Sequence, residues 1–343
     1  MSTAPVNPVP PEAAATQLVF QLATGYIASS ALHVAIKLRI ADLLAGGPRP
    51  VGDLAVAAGA NEDALYRVLR SLSSLGVFEE TAARTFANNL ASASMRSGVP
   101  GSTQPMALWM SDPFHFRVYA DIMHSVTTGQ PAVEKTMGMP VFEYFPRNPE
   151  LSEVFNDAMT AFSAFVVPAA IEAYDFSGIG VLVDVAGGHG QVLASILAKH
   201  PRMRGVLFDL EHVIAGAVPR LEAAGLAGRC TTVSGDFFKA VPEGGDAYIM
   251  KHIIHDWDDG KALQILANIK RAMNPGGRVI LLESVLTPAN QPDFGKLIDL
   301  EMLLMPGGRE RTGEEFHALF ERAGFAVTRI VPTKSPLSVI EAR

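Results

Sequence analysis

The residues most able to do chemistry stand in one short run, Lys251-His252-Ile253-Ile254-His255-Asp256-Trp257-Asp258-Asp259. An apolar strand pattern ends at Lys251, so the run leaves a sheet at its carboxyl edge, where ligands and catalytic groups of open α/β sheets gather. A histidine has an ordinary pKa near ~6.5 and can take a proton at neutral pH. A phenol, with a pKa near ~10, is a weak nucleophile until such a base removes its proton. Glu283 ends the next strand and could hold the second ring nitrogen of His255; Glu310, in Gly308-Arg309-Glu310-Arg311-Thr312, is a second candidate for that task. Two plainer readings compete. The acidic run could hold a metal, but a calcium loop begun at Asp256 would put Lys261 at the glycine position and Ala267 at the bidentate glutamate, so that reading fails. Alternatively, His255 and Asp256 merely cap the helix that starts near Asp258. The other histidines, His252 among them, show no metal-ligand spacing and read as structural or surface residues; no metal is expected.

A second set of residues precedes this run. The turn Asp184-Val185-Ala186-Gly187-Gly188-His189-Gly190 follows an apolar strand, and its small residues let the backbone approach a ligand closely. A dinucleotide fingerprint would continue to a glycine where Leu193 stands, so no pyrophosphate turn is completed, and Asp184 suits a cationic ligand. Asp209 ends the next strand, where a carboxylate can accept hydrogen bonds from both ribose hydroxyls of a nucleoside. Asp236 and Phe237 end the third, and a carboxylate beside an aromatic ring can hold the amine and face of adenine. Each aspartate taken singly could instead be a helix N-cap. Asn274-Pro275-Gly276-Gly277 leads into the fifth strand.

The elements that must position these groups follow from periodicity. From Val181 onward short β runs alternate with helices: strands over 181–185, 205–209, 231–234, 247–251, 278–283 and 326–331, with helices between them. That is a doubly wound, Rossmann-like α/β domain on a parallel sheet, assigned to residues 176–343. Residues 104–175 are helical and rich in Met, Phe and Trp; most of these are core, and a minority could line a flat aromatic ligand. Residues 13–103 read as a long helix with Leu18, Leu22, Ile27, Leu32, Ile36 and Ile40 on one face, then helices 51–58 and 61–75 and a hairpin through 77–78 and 85–86. Helix–turn–helix plus hairpin is a winged-helix pattern. Glu62, Asp63, Glu79 and Glu80 stand where a DNA reader would want cations, and Asp63 can pair with Arg67 four residues on. A packing or dimerising module is favoured. Residues 1–12, Pro-rich, read as a loose tail.

Bulk composition agrees. The chain has 343 residues, 48% hydrophobic and 18% charged, with a formal net charge of -7, which suits a large-core enzyme and repels nucleic acid. One cysteine, Cys230, builds neither a disulfide nor a metal cluster, and a cytoplasmic home is expected. No apolar stretch is read as long enough to span a bilayer.

Together these motifs resemble the plant-type, caffeic acid/isoflavone-like O-methyltransferase family, including its bacterial natural-product members, over nearly the whole chain. The family's "VDVGGGxG" turn is matched by Val183–Gly190 with Ala186 replacing the first glycine, and its "FNxxM" helix by Phe155-Asn156-Asp157-Ala158-Met159. The resemblance implies a winged-helix dimerisation domain, a homodimer, and S-adenosylmethionine as cofactor, held by Ala186, Gly187, Gly188, Asp209, Asp236, Phe237 and Lys251. It puts the catalytic base on His255 and its carboxylates on Glu283 and Glu310. An aromatic acceptor would meet Trp109, Phe155, Met159, Phe162, Asp256, Met302 and Met305. Two departures bear on the acceptor: Trp109 and Phe162 fall where plant members place polar contacts, and Met305-Pro306-Gly307-Gly308 is a residue shorter. Two rival readings compete: an offshoot that binds the cofactor without transferring methyl, against which His255 and both glutamates stand, and a ligand-sensing regulator, against which the acidic reading face stands.

Overall fold

The computed structural model describes residues 10–343. The expected tail therefore lies almost wholly outside the described residues, and Pro11 and Glu12 already belong to the first helix. The chain forms two compact units: the residues up to Arg117 with Val154–Ala158, and Val118–Glu153 with Met159–Arg343.

In the first unit the helix Pro11–Lys37 is followed by helices Val51–Ala58 and Glu62–Ser74. Gly59 ends the former in the left-handed region at φ 64°, and Asn61 caps the latter by accepting the Ala64 N–H at 3.0 Å. Strands β1 (Arg49–Pro50), β2 (Glu79–Ala82) and β3 (Thr85–Ala87) form an antiparallel sheet in the order β1-β3-β2. The hairpin thus lies a residue or two beyond its expected start, because Phe78 turns inward at φ 70° to fill the core before the strand begins. Asp63 pairs not with Arg67 but with Arg84 (4.0 Å), which also holds Glu62 at 3.0 Å and stacks over Tyr66.

The long helix departs from the expected single buried face. Ile36, and Ile40 in the separate short helix Ile40–Leu43 that follows, are buried with Leu54, Leu69 and Phe86, but Leu18 is 55% exposed, Leu22 74% and Ile27 50%, and Val19, Phe20 and Tyr26 are exposed as well. Its apolar residues run round the helix, and the unit covers only the last turns. By length and composition this helix and Pro149–Ala173 could each cross a bilayer, contrary to the sequence reading. The second sends Val166, Val167 and Ala170 into a buried core instead.

The second unit is built on a seven-stranded sheet. Its strands are β4 (Val181–Val185), β5 (Arg204–Asp209), β6 (Cys230–Ser234), β7 (Gly245–Lys251), β8 (Met273–Glu283), then, after the short β9 (Val285–Leu286) and β10 (Arg311–Thr312) outside it, β11 (Val327–Pro332) and β12 (Ser338–Ala342). The order is β11-β12-β8-β7-β4-β5-β6. Strands β4 to β8 pair in parallel, which places all their carboxyl ends on one edge. The sheet is mixed, not parallel throughout: β12 runs antiparallel to both β8 and β11. Sequence reading missed β12 because Glu341 interrupts its apolar run. That carboxylate is nevertheless buried, accepting from Tyr174, Thr328 and Arg329. Side chains alternate between the faces, with Leu182 and Ile249 in one core and Val183, Tyr248 and Met250 in the other.

One buried cation fixes the carboxyl edge. Arg311, 1% exposed, donates from its guanidinium to the carbonyls of Ile254 (3.2 Å), Trp257 (3.0 Å) and Arg309 (3.3 Å) and to the Asp259 carboxylate (2.9 Å). It ties β10, which pairs with β9, to the turn that follows β7. Replacing Arg311 by Met would strand these acceptors, and stability should fall by about 3 kcal/mol or more. A urea unfolding midpoint equal to that of the unaltered protein would show that the clamp contributes nothing.

Candidate active site

The parallel strands deliver the first group of side chains directly. After β4 the chain turns through Ala186 (φ 55°), Gly188 (φ 58°) and Gly190 (φ 79°), the last opening the helix Gln191–Lys199. A left-handed alanine is strained by on the order of 1 kcal/mol, so Ala186 holds a conformation that glycine would hold freely. A Cβ on Gly187 would lie 2.5 Å from both Asp184 Cγ and a Leu207 methyl, whereas one on Gly188 would meet nothing, so the turn is open on that side. Asp209 at the end of β5 ties itself to this turn: Oδ2 accepts the Gly188 N–H at 2.8 Å and Oδ1 the Leu210 N–H at 2.7 Å. Burial raises its pKa. Asp236 accepts the Phe238 N–H at 2.9 Å and pairs with Lys239 at 3.4 Å, a local turn-capping role like the plainer sequence reading. Phe237 packs edge-on against Trp257.

Asp184 does not face outward as a ligand group. It is 1% exposed beneath Gly187, and burial lifts its pKa to about 7. Lys251 ends β7 with its ammonium 6.0 Å from the Phe162 ring, its pKa lowered by burial against the pull of Glu283, Asp184 and Asp256.

The candidate base sits in the short turn Ile254–Asp256, 6% exposed. Its Nδ1 lies 2.7 Å from Glu310 Oε1 and 3.9 Å from Glu283 Oε2, and its Nε2 lies 3.5 Å from Asp256 Oδ1. Glu310 is therefore the direct partner of the two candidates, not Glu283. Glu283 spends Oε1 on the N–H groups of Ile253 (3.1 Å) and Ile254 (3.0 Å), bracing the turn from below. Glu310 is held in turn, its N–H donated to Asp299 at 2.8 Å. Burial alone would lower the His255 pKa, but Glu283, Asp256 and Glu310 outweigh it and raise it to about 10.

The loop before Glu310 is moulded to the turn. Arg309 N–H donates to the His255 carbonyl at 2.8 Å. A Cβ on Gly308 would fall 2.0 Å from that carbonyl oxygen, so only glycine fits. Met302 and Met305 are buried at the end of the helix Gly295–Leu304, where Met302 O accepts the N–H groups of Gly307 and Gly308. Asp256 and Phe162 are half-buried around His255 and His252, and Met159 lies one turn before Phe162 on its helix. Trp109 and Phe155 belong to the first unit, their rings 5.2 Å apart; Trp109 is 5% exposed and also packs on Phe114 and His115. That is the surrounding of a core residue.

His252, set aside in the sequence, is part of the site. Its ring lies between Phe162 (5.1 Å, stacked) and His255 (4.4 Å, inclined 32°), its backbone is left-handed at φ 53°, and its Nε2 is buried without a partner. Burial, His255 and Lys251 hold its pKa well below the ordinary value. His252, His255 and Glu283 bring ligand atoms within 4.8 Å of one another, the spacing of a metal trio. The His252 and His255 rings are tilted 32° to one another, and His255 Nδ1 and Glu283 Oε1 already have partners. The only sequence signal was the three-residue interval between the two histidines.

An open glycine turn, an aspartate bonded to it, a lysine and a carboxylate-bound histidine at one sheet edge fit a nucleoside-bearing methyl donor beside a base. Comparison with known proteins agrees. The chain matches the O-methyltransferase domain over residues 119–326 and the O-methyltransferase dimerisation domain over residues 20–96. It is 44% identical over 328 residues to a phenazine O-methyltransferase of Lysobacter antibioticus, covering 96% of each chain. It is 36% identical to a mitomycin biosynthesis 6-O-methyltransferase of Streptomyces lavendulae, covering 99% of this chain and 98% of that one. The fold superposes on human N-acetylserotonin methyltransferase in complex with S-adenosylmethionine with a TM-score of 0.87 at 26% identity, covering 100% of this chain and 99% of that one. The chain belongs to the S-adenosylmethionine-dependent O-methyltransferase family, joining that family's dimerisation domain to its methyltransferase domain.

Proposed function

We propose that this enzyme methylates a phenolic hydroxyl of an aromatic natural product, with His255 as general base, in the cytoplasm and as a homodimer. The observation that carries the reading is the 2.7 Å contact between His255 Nδ1 and Glu310. It leaves Nε2 as the nitrogen that can take a proton. Kinship with enzymes of phenazine and mitomycin chemistry supports the acceptor class. Residues 13–103 serve dimerisation, 104–175 supply acceptor-facing helices, and 176–343 hold the cofactor.

S-adenosylmethionine, when bound, supplies a methyl group already activated on a cationic sulfur. The glycine turn of Ala186, Gly187 and Gly188 lets the backbone come close, Asp209 accepts from the ribose hydroxyls, and Asp236, Phe237 and Lys251 complete the cofactor site. His255 removes the acceptor proton at Nε2, with Glu310 holding Nδ1–H and thereby fixing the tautomer. Glu283 stiffens the turn that carries the base and, with Glu310, stabilises the imidazolium. Asp256 orients the acceptor hydroxyl, and Met159, Phe162, Met302 and Met305 give it apolar walls. Rate enhancement comes mainly from positioning the two reactants.

Loss of the Asp209 carboxylate in Asp209→Ala should weaken cofactor binding by about 1–3 kcal/mol with the fold retained. Calorimetry giving unchanged affinity for the folded variant would remove Asp209 from the site. The exposed apolar residues of Pro11–Lys37 should be covered by a second copy, so Phe20→Lys with Leu22→Lys should shift the protein from dimer to monomer in light scattering. A monomeric, fully active unaltered protein would contradict this. For the base, His255→Ala should lose ~10²–10⁴ in methyl transfer with neutral phenols, and much less with an acceptor ionised beforehand. Equal losses would reduce His255 to a positioning role. Only neutral imidazole accepts the proton, and the surrounding carboxylates raise the His255 pKa. Single-turnover rates should therefore rise with pH as His255 loses its proton and fall away below that point. Glu310→Gln, which removes a negative charge from Nδ1, should move that profile to lower pH; an unmoved profile would exclude His255 as the titrating group.

A further inference from the structure

The base is enclosed by more negative charge than the protein itself neutralises. Glu283 comes from β8 and Glu310 from the loop entering β10, Asp256 follows His255 in its turn, and Asp184 lies below at the end of β4. Against them, among the described residues, stand Lys251, at the end of β7, and His255 itself when protonated. The other groups packed around the cluster add no cation. His252 is held neutral by burial, Asp299 faces Glu310 through its backbone N–H, and the Arg311 guanidinium is committed to Asp259 and three carbonyls. The second oxygens of Glu283 (0% exposed) and Glu310 (2% exposed) are buried without hydrogen-bond partners. Unpartnered carboxylate oxygens away from water call for a proton or a cation.

Methyl transfer brings a cation to this spot. A base within hydrogen-bond reach of a hydroxyl that is itself in line with a methyl group lies about 6–7 Å from the donor sulfur. We propose that the cluster of His255, Asp256, Glu283 and Glu310 recognises the donor by its charge: the sulfonium cofactor displaces a proton from the cluster into solvent on binding, and the neutral thioether product does not. The inference rests on His255 as the base of the proposed reaction. Its consequence is that the imidazole becomes a competent base only when the methyl donor is in place. After transfer His255 carries the acceptor proton, the site has its own cation again, and the product has no sulfonium charge left with which to engage the cluster. The proton affinities run the same way, with His255, Asp256 and Glu283 all raised, the carboxylates by burial and His255 by its acidic neighbours against burial.

The test compares S-adenosylmethionine with S-adenosylhomocysteine, which share adenosine and amino acid and differ by the sulfonium charge. Each is titrated into the full-length protein by calorimetry near pH 7.5, in two buffers of different ionisation enthalpy. The expected result is release of roughly 0.5–1 proton more for the sulfonium compound, and a clearly smaller difference in Glu283→Gln, with Asp256→Asn as a second variant. Equal proton counts for the two ligands on the unaltered protein would overturn the inference while leaving the cofactor site standing. Binding of neither ligand would overturn the proposed site and the inference with it.

Discussion

The buried Arg311 guanidinium is the interaction on which the rest of the site depends. The turn after β7 has its carbonyls pointing away from any regular ladder, and a buried carbonyl without a donor is costly. Arg311 satisfies two of them, Ile254 and Trp257, together with Arg309 and Asp259, using the fixed fork of its donors. Because Glu310 precedes Arg311 in the chain, the same clamp brings a carboxylate to Nδ1 of His255. The two groups of the catalytic pair, fifty-five residues apart in sequence, are thus set by one anchor.

Gly308 is the complementary constraint. Its backbone runs so close to the His255 carbonyl that no side chain fits, and the Arg309 N–H closes a hydrogen bond to that carbonyl. Glu283 braces the opposite side through the N–H groups of Ile253 and Ile254. The histidine is therefore supported on its main chain from both sides and on its ring by Glu310. Such a surround removes rotational freedom from the base before an acceptor arrives, which is the condition for efficient positioning.

The two units meet different physical demands. The methyltransferase unit buries its own apolar surface in two cores, one on each face of the sheet. The N-terminal unit has a small core and leaves the first turns of its long helix apolar and exposed. Membership of its residues in a dimerisation domain accounts for a surface that would otherwise be a liability in water.

Much of this was readable in the sequence, because period and turn chemistry are local. The strands from Val181 to Glu283, the glycine turn and the carboxylates Asp209 and Glu283 at strand ends follow from alternation and from where each strand must stop. What only the tertiary structure decided is what depends on neighbours distant in sequence. β12 was hidden because Glu341 breaks its pattern, and only the convergence of Tyr174, Thr328 and Arg329 makes that burial tolerable. His252 reads in the sequence as a structural or surface residue, and only the packing of Phe162 and His255 against its ring brings it into the site. The choice between Glu283 and Glu310 could not be made from spacing, since both stand near strand ends; it was made by Arg311 drawing one of them to within hydrogen-bond distance of the imidazole, while the backbone of Ile253 and Ile254 engaged the other.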